Sequence, residues 1–288
     1  MPIELVFLGT GTSAGVPMIG CDCGVCTSDD PRDRRDRPSV LIRYPDTAGD
    51  QLARFRGDDD EQPHRQILID TSPELRQQAI RHRLHHLDGV FYTHAHADHI
   101  FGLDDLRRFN AVMNAPIDLY AEPDVIDTLR QMFRYIFEPH RNVNVSFVAN
   151  LIAHPVEVGV GLPLFGATWT PIRLMHGRQP IVGYRIDQQG VSVAYCTDVS
   201  TIPPESYPLL AELDVLVLDA LRYRHHPTHL TIEQALRIID ELAPDRAYLT
   251  HFAHDVKHAD LEADLPDPIA PAYDGLIVRC DDLRPQHP

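Results

Sequence analysis

The chain has 288 residues, of which 43% are hydrophobic, and its formal net charge is −16. A chain of this length can bury one full hydrophobic core, so we expect a single domain over residues 1–288. The acidic balance argues against a broad nucleic-acid surface, because such a surface neutralises phosphates with Lys and Arg. No basic region or long apolar run precedes the first strand, so we expect neither export nor a membrane span.

The first predicted strand, at residues 3–7, leads into a loop with three closely spaced cysteines at about residues 20–27. Cys21, Cys23 and Cys26 have the C-x-C-x2-C spacing that lets three thiolates bind one tetrahedral zinc. No neighbour in sequence offers a fourth ligand, and His254 is the candidate for it. The alternative is three buried cysteines or a disulfide. Clustered thiolates stay metal ligands only in a reducing compartment, which predicts a cytoplasmic protein.

A charged run follows the cysteine loop. We expect this run to form a solvated, self-paired loop rather than a phosphate clamp. The acidic stretch at residues 58–61 is predicted to be an exposed turn. The charged run consists of Arg32, Asp33, Arg34, Arg35, Asp36 and Arg37.

The rest of the chain alternates between short apolar runs typical of strands and longer segments typical of helices. Cys196 and Cys280 lie in apolar runs and are predicted core residues. The prolines at residues 203–204 and 266–271 predict turns. We predict helices at residues 72–83, 102–109, 123–137 and 231–242. We predict further strands at residues 40–42, 66–69, 89–92, 145–152, 168–174, 181–186, 191–195 and 215–219, and near Ala247 and Leu276.

The segment that follows the apolar run at residues 89–92 concentrates metal ligands. It places His94, His96, Asp98 and His99 within six positions. Imidazole nitrogens and carboxylate oxygens suit zinc or manganese. Residues two apart on a kinked loop can face one ion while their neighbours face a second. The alternative is a His-rich surface turn.

Four other predicted strands also end in a ligand or in a residue that could support one. In layered α/β proteins the strand ends are where loops gather and active sites are built. The repeated pattern therefore indicates one metal site assembled from distant parts of the chain. The residues concerned are Asp70, His176, Asp198 and His251.

The order His-x-His-x-Asp-His, then a distant His, an Asp and a last His, resembles the metallo-β-lactamase superfamily. The resemblance implies an α+β protein with a four-layer αββα sandwich and a two-ion site at one edge of its sheets. Asp70 would orient the metal loop; its alternative role is an ordinary helix cap before residues 72–74. The implied ligands are His94, His96 and His176 for one ion, Asp98, His99 and His251 for the other, and Asp198 as the bridge.

The N-terminal sequence narrows the resemblance to a subgroup. Residues 7–17, with Gly-Thr-Gly and Gly-Val-Pro turns, and the following cysteine loop are similar to the phosphoribosyl cyclic phosphodiesterases of bacterial phosphonate breakdown. In that subgroup the cysteines hold a structural zinc with the second His of a His-x-x-His, which here begins at His251 and ends at His254. The resemblance implies two divalent ions, Zn or Mn, in the active site and one structural Zn. It covers almost the whole chain, with departures at residues 57–62 and 221–229.

A two-ion site of this kind supports hydrolysis by a bridging hydroxide, because the ions lower the pKa of bound water. A phosphodiester suits such a site, and its leaving alkoxide needs a proton from a general acid. His229 resembles the non-ligand histidine of the superfamily's phosphodiesterases; His225 and His226 are alternatives, and Asp219 could orient the acid. We therefore predict a phosphodiesterase for a small diester such as a cyclic sugar phosphate, with His229 and Asp198 as catalytic residues.

Two other functions share these ligands: a transfer-RNA 3′ processing nuclease and a non-hydrolytic relative in cofactor biosynthesis. The nuclease would need an extended basic arm, and the chain has no Gly- and Lys-rich insertion. The non-hydrolytic relative should have lost ligands that this chain keeps. Lactamase or thioesterase activity is also open, although a lactamase would more often have Cys at the position of Asp198. From the resemblance we expect a homodimer with a small-molecule phosphodiester substrate and without nucleic-acid or membrane partners.

Overall fold

The computed structural model describes residues 3–47, 64–143 and 146–280; the predicted acidic turn at residues 58–61 lies outside them. Among the described residues, no helix has the length and apolar character needed to cross a bilayer. In chain order the strands are β1 (Glu4–Gly9), β2 (Ser39–Pro45), β3 (His64–Ile69), β4 (Gly89–Phe91), β5 (Ile117–Ala121), β6 (Leu151–Pro155), β7 (Leu162–Leu164), β8 (Ala167–His176), β9 (Gln179–Gln188), β10 (Val191–Cys196), β11 (Val215–Asp219), β12 (Arg246–Thr250), β13 (Ile269–Pro271) and β14 (Ile277–Arg279). The α-helices are α1 (Leu75–Arg81), α2 (Ala97–Ile100), α3 (Leu106–Met113), α4 (Pro123–Met132), α5 (Arg134–Phe137), α6 (Ile232–Leu242) and α7 (His258–Asp264). Short 3-10 helices lie at Pro31–Asp33, Leu103–Asp105, Pro139–Arg141 and Pro204–Leu210.

Within the described residues the strands form two seven-stranded sheets. The first has the order β14-β1-β2-β3-β4-β5-β6, and the second has the order β13-β12-β11-β10-β9-β8-β7. Strands β3 to β6 are parallel to one another, and so are β10 to β13. The other neighbouring strands are antiparallel. The carboxyl ends of the parallel strands in each sheet therefore share one edge.

Three apolar clusters hold the layers together. One fills the space between the sheets and includes Phe91 and Trp169, whose rings stack with centroids 4.3 Å apart. The second packs the outer face of the first sheet against α1, α3 and α4. The third packs the outer face of the second sheet against α6 and α7. The chain is thus a four-layer αββα sandwich, and the predicted α+β fold class is confirmed.

The strands of this sandwich are apolar on both faces because both faces are covered. In β1, Leu5 belongs to the cluster between the sheets and Val6 to the cluster under the helices. Successive side chains of a strand point to opposite faces, so a continuous apolar run is what two-sided burial requires. Cys196 and Cys280 are 0% and 2% exposed, which confirms that both are core residues.

Several element boundaries differ from the predictions. The helix predicted at residues 123–137 is broken at Phe133, whose φ of −111° and ψ of 42° are not helical. The strand predicted at residues 145–152 is displaced to β6, because pairing with β5 selects its residues. Residues 269–271, predicted as part of a turn, form β13 at the edge of the second sheet, and α7 was not predicted. The predicted helix starts at residues 72 and 102 are too early by three or four residues.

Candidate metal centre

The predicted ligands lie at the sheet edge where the parallel strands end. Strand β8 points to this edge as well, because two antiparallel pairings separate it from β10. The remaining three ligands of the motif, His96, Asp98 and His99, lie in the turn after β4 and in α2. Asp70 directly follows β3, His94 lies just after β4, His176 is the last residue of β8, Asp198 lies two residues after β10, and His251 directly follows β12.

Three of these residues adopt the left-handed backbone conformation, which side chains disfavour. Their φ angles are 62° for Asp70, 59° for Asp198 and 67° for His251. Such a conformation costs about 1–3 kcal/mol per residue and persists only where the surrounding structure enforces it. All three lie at strand ends of the same edge, so backbone strain is concentrated at the site.

The structure brings His94, His96 and His176 together as one potential ligand group. Their ligand atoms all lie within 4.8 Å of one another. The ring centroids are 4.5 Å apart for His94 and His96, and 5.1 Å apart for His96 and His176. This is the set that the resemblance implied for the first ion.

The structure also brings together the residues implied for the second ion. Ligand atoms of Asp98, Asp198 and His251 lie within 4.8 Å of one another. Nε2 of His99 lies 3.3 Å from an Asp98 oxygen and 3.2 Å from an Asp198 oxygen. A carboxylate oxygen of Asp198 also lies within 4.8 Å of a ring nitrogen of His94 and of one of His176. Its carboxylate is therefore central to the cluster, as a bridging ligand must be.

His99 and His176 are held through Nδ1, which leaves their Nε2 for a metal ion. Nδ1 of His176 donates to the carbonyl oxygens of Asp198, at 3.0 Å, and Thr228, at 2.9 Å. Nδ1 of His99 donates to Asp70 at 2.8 Å. Such partners fix the ring orientation and the tautomer of a ligating histidine.

Asp70 supports the metal loop instead of facing the cluster directly. One of its carboxylate oxygens accepts the backbone N–H of Thr93, and the other accepts the Thr93 hydroxyl, each at 2.8 Å. The second oxygen also accepts Nδ1 of His99. These bonds match the orienting role that the resemblance implied, and helix α1 begins at Leu75 without a side-chain cap.

The cluster fits divalent metal ions. Nε2 of His94 and Nε2 of His251 are buried without a hydrogen-bond partner among the described residues. An unsatisfied buried polar atom costs free energy, so these two lone pairs call for a partner that the protein itself does not provide. A divalent ion accepts both imidazole nitrogen and carboxylate oxygen as ligands.

The electrostatics of the cluster agree with this fit. Burial lowers the pKa of His94 well below its usual value and lowers the pKa of His251 to about 3, so both rings are neutral at pH 7. Burial also opposes charge on His99, but the carboxylates of Asp198, Asp98 and Asp70 outweigh it and raise its pKa. The carboxylates thus stabilise positive charge at the position that the second ion would take.

His229 lies against the cluster, and it is held by Asp219. Its Nδ1 lies 2.8 Å from an Asp219 carboxylate oxygen. Its ring centroid is 4.7 Å from that of His176 and 4.8 Å from that of His251. Of the two alternative acids, His226 has its ring 5.1 Å from His229 and its Nδ1 beside Thr228, while His225 is exposed.

The cysteine loop forms a second potential metal site. The three cysteine sulfurs and the nearest ring nitrogen of His254 lie within 4.8 Å of one another. Nδ1 of His254 lies 3.2 Å from the sulfur of Cys21 and 3.4 Å from that of Cys23. The N–H of Cys26 and the His254 ring lower the pKa of Cys23 to about 6, which favours the thiolate that zinc binds. The described residues contain no disulfide.

The family model for the Beta-lactamase superfamily domain matches residues 65–252, which is more than half of the chain. The chain belongs to the metallo-β-lactamase superfamily. Members of this superfamily of hydrolases bind divalent metal ions.

Three known proteins are similar to this superfamily member. A crystal structure described as a new diphosphatase from the PhnP family has 40% sequence identity and a TM-score of 0.81, and the match covers 96% of this chain and 97% of that one. An octanoyltransferase of Porphyromonas gingivalis is 37% identical over 97% of this chain, which spans 52% of that protein's length. Zinc-bound PqqB from Methylobacterium extorquens, at 19% identity and a TM-score of 0.71 with 96% and 99% coverage, shares the fold. The similarity to a PhnP-family protein confirms the resemblance that the N-terminal sequence and the cysteine loop predicted.

Sequence analysis of this superfamily member missed three contributors to the metal centre. Thr93 links Asp70 to His94, because its hydroxyl lies 3.0 Å from Nδ1 of His94. The hydroxyl of Thr197 donates to Asp198 at 2.9 Å. The carbonyl of Thr228 orients His176. Each threonine directly precedes a predicted site residue, which is the pattern that could have identified it.

Proposed function

We propose that this protein is a metal-dependent phosphodiesterase that hydrolyses a small phosphodiester, such as a cyclic sugar phosphate. The observation that carries the proposal is His229, a buried histidine bonded to Asp219 and placed against the ligand cluster. A carboxylate at Asp198, where a lactamase would more often have Cys, also supports it. The neighbour described as a PhnP-family diphosphatase supports cleavage at phosphorus.

The ligand roles follow the two groups in the cluster. When bound, two divalent ions would supply positive charge for the phosphate oxygens and an activated water as the nucleophile. Because ligand atoms of Asp198 lie within 4.8 Å of those of both groups, its carboxylate would help to hold both ions. We propose His94, His96 and His176 as ligands of the first ion, Asp98, His99 and His251 as ligands of the second, and Asp198 as the bridge, with Zn or Mn as the metals.

His229 would protonate the leaving group. Its Nδ1 is bonded to Asp219, so Nε2 is the atom that can donate a proton. As the oxygen of water bonds to phosphorus, the bond from phosphorus to the leaving oxygen breaks, and that oxygen takes the proton from Nε2. The proton lost by water goes to solvent, and a solvent proton restores His229. General acid catalysis of this kind contributes about 10²- to 10⁴-fold.

Hydrolysis of 5-phosphoribosyl 1,2-cyclic phosphate by manganese-loaded protein tests the proposal. We expect rapid turnover by the wild type and a loss of about 10²- to 10⁴-fold in kcat for His229→Ala. His225→Ala is the matched control, because His225 is exposed in the same loop and should leave kcat unchanged. Metal-loaded wild type that cleaves no phosphodiester would overturn the proposed function.

A second candidate is hydrolysis of a diphosphate, which the name of the 40% identical neighbour favours. A phosphate leaving group is less basic than an alkoxide and needs less help from an acid. His229→Ala should therefore impair cleavage of a diphosphate much less than cleavage of a diester. A diphosphate that wild type cleaves faster than any diester, with little effect of His229→Ala, would establish this second function.

Three further expectations stay predictions: the absence of a transfer-RNA substrate, the structural zinc and the homodimer. A transfer-RNA substrate would require binding that strengthens as the salt concentration falls, so an absence of binding at low salt would exclude the nuclease. The structural zinc at Cys21, Cys23, Cys26 and His254 is checked by zinc content per chain. The expected homodimer is checked by sedimentation equilibrium.

A further inference from the structure

Arg35 is buried completely, although its segment was predicted to be a solvated loop. Its side chain and that of Asp33 are 0% and 1% exposed, and the two form an ion pair of 3.3 Å. The predicted solvation was wrong for these two residues, because their further partners, in residues 253–258, lie far away in sequence. Their mutual ion pair agrees with the predicted self-pairing. The neighbouring Arg34 is exposed, as predicted.

The guanidinium of Arg35 holds the loop that carries the last histidines of both candidate metal sites. One of its nitrogens donates to the carbonyl oxygen of Ala253 at 3.1 Å, and the other donates to that of Val256 at 2.7 Å. These two carbonyls bracket His254, a candidate ligand of the structural zinc. His251, a candidate ligand of the second active-site ion, lies two residues before Ala253.

Further contacts fix the same loop from both sides. A carboxylate oxygen of Asp33 accepts the backbone N–H of His258 at 2.8 Å. The guanidinium of Arg35 lies over the Phe252 ring, 5.2 Å from its centroid. The backbone of Phe252 pairs with the strand-like segment after β1, through bonds of 2.9 Å to Thr10 and 3.0 Å to Thr12.

Arg35 also contacts the segment that leads into the cysteine loop. Its backbone N–H and carbonyl form a pair of hydrogen bonds with Val16, at 2.8 and 2.9 Å. Two residues further on, the N–H of Met18 donates to the sulfur of Cys26 at 3.3 Å. Arg35 therefore lies between the two loops: its backbone bonds the segment that leads into the cysteine loop, and its side chain bonds the loop of residues 251–258.

We propose that Arg35 is a positioning residue for both candidate metal sites. It fixes the 251–258 loop so that His251 reaches the second ion and His254 reaches the cysteines, and it thereby couples the two sites. The inference rests on the ligand assignment of the proposed function. Arginine suits this role because a planar fork of N–H groups can bond several carbonyl oxygens at once, whereas lysine presents a single ammonium.

The test uses Arg35→Lys with two matched controls. Arg34→Lys changes the neighbouring exposed arginine. Arg65→Lys removes another buried, ion-paired guanidinium at the opposite end of β3 from Asp70, and so controls for general loss of stability. Each folded variant is loaded with cobalt to report thiolate coordination at the cysteine site by its charge-transfer band. A separate sample, with zinc in the cysteine site, is loaded with manganese to report the ion pair by its exchange-coupled electron paramagnetic resonance signal.

In Arg35→Lys we expect cobalt affinity at the cysteine site and affinity for the second manganese ion each to fall by about 10- to 100-fold, as when a residue that orients metal ligands is lost. The first manganese ion, held away from this loop, should stay. Arg34→Lys and Arg65→Lys should keep both affinities. Equal losses in Arg65→Lys, or a loss at only one site in Arg35→Lys, would overturn the proposal.

A second measurement does not depend on the folding of an arginine variant. Cys23→Ser removes a zinc ligand while Arg35 stays in place. It should lose the structural zinc and weaken binding of the second manganese ion, whereas Cys196→Ser, in the core, should affect neither site's ligands. A manganese pair of unchanged affinity in zinc-free Cys23→Ser would disprove the coupling. A wild type that binds all its ions yet cleaves no phosphodiester would instead overturn the proposed function and leave this inference standing.

Discussion

At the scale of single residues, the pairing of His229 with Asp219 determines whether His229 carries a proton that it can donate. Burial raises the pKa of Asp219 to about 7. Burial alone would lower the pKa of His229, but the carboxylate of Asp219 outweighs this effect, so the pKa of His229 is raised. The pair therefore retains a proton near neutral pH, and His229 can act as an acid there.

This pairing predicts the alkaline limb of the pH profile. In the proposed mechanism the protonated form of His229 is the acid, so kcat should fall as the pH rises through its raised pKa. Asp219→Asn removes the carboxylate that raises this pKa, so the alkaline limb should move to lower pH. The pH dependence of kcat, measured for both proteins at saturating metal and substrate, checks the shift, and coincident profiles would contradict the role of Asp219.

Asp198 is the residue on which both ligand groups depend. Asp198→Ala should release at least one ion, because its carboxylate lies within ligand distance of both groups. Removal of a residue that only orients a ligand lowers metal affinity by about 10- to 100-fold. The loss of metal affinity in Asp198→Ala should be larger. Metal content after dialysis and kcat measure the effect, and unchanged values would refute the bridging assignment.

At the scale of elements, the Gly-Thr-Gly segment that begins at the end of β1 packs closely against the backbone of a neighbouring segment. A Cβ on Gly9 would lie 2.0 Å from the carbonyl oxygen of Arg37, a contact that no side-chain rotation relieves. A Cβ on Gly24, in the cysteine loop, would meet nothing within 4 Å. Gly9 is therefore needed for packing, and Gly24 is not.

Overpacking typically costs about 1–3 kcal/mol, and Gly9→Ala should lower the free energy of unfolding by at least this much. The neighbouring Thr10 accepts the backbone N–H of Phe252, so the displacement should also reach the loop that carries His251. Gly24→Ala is the control and should be tolerated. Urea unfolding of the two variants provides the comparison, and equal midpoints would contradict the argument.

Sequence patterns predicted the existence of most elements better than their ends. Helix α6 was predicted at residues 231–242, and its Thr231 and Gln234 form the reciprocal capping bonds that a local motif encodes. The positions of β6 and β13 were missed because each is an edge strand whose residues are selected by one neighbour. Local periodicity carries no information on that pairing.

At the scale of the whole molecule, the two sheets are joined by an aromatic cluster. Trp169 is 0% exposed, its ring stacks on Phe91, and its N–H donates to the hydroxyl of Tyr44 at 3.2 Å. These residues come from both sheets, so the cluster fixes the relation between the ligand groups that each sheet provides. The arrangement of the candidate ligand groups therefore depends on packing remote from them.

Trp169→Ala should lower the free energy of unfolding by about 3–5 kcal/mol, since it leaves a cavity between the sheets. Ile19→Ala is the control, because Ile19 is 95% exposed and its removal should change stability little. Denaturant unfolding of metal-loaded protein measures both. A loss for Trp169→Ala no larger than for Ile19→Ala would show that the intersheet cluster is not a main source of stability.

The sequence was sufficient to identify the residues that can bind metal and the superfamily to which their pattern belongs. The motif from His94 to His99 and the cysteine triplet are local, so their chemistry is evident from spacing alone. Which distant groups meet follows only from the fold. Asp219 was one possible partner of the acid in the sequence, and it bonds His229 because β11 ends beside the loop before α6. Arg35 reaches Ala253 across 218 positions of sequence. Such contacts depend on the pairing of strands and sheets, and no local pattern encodes them.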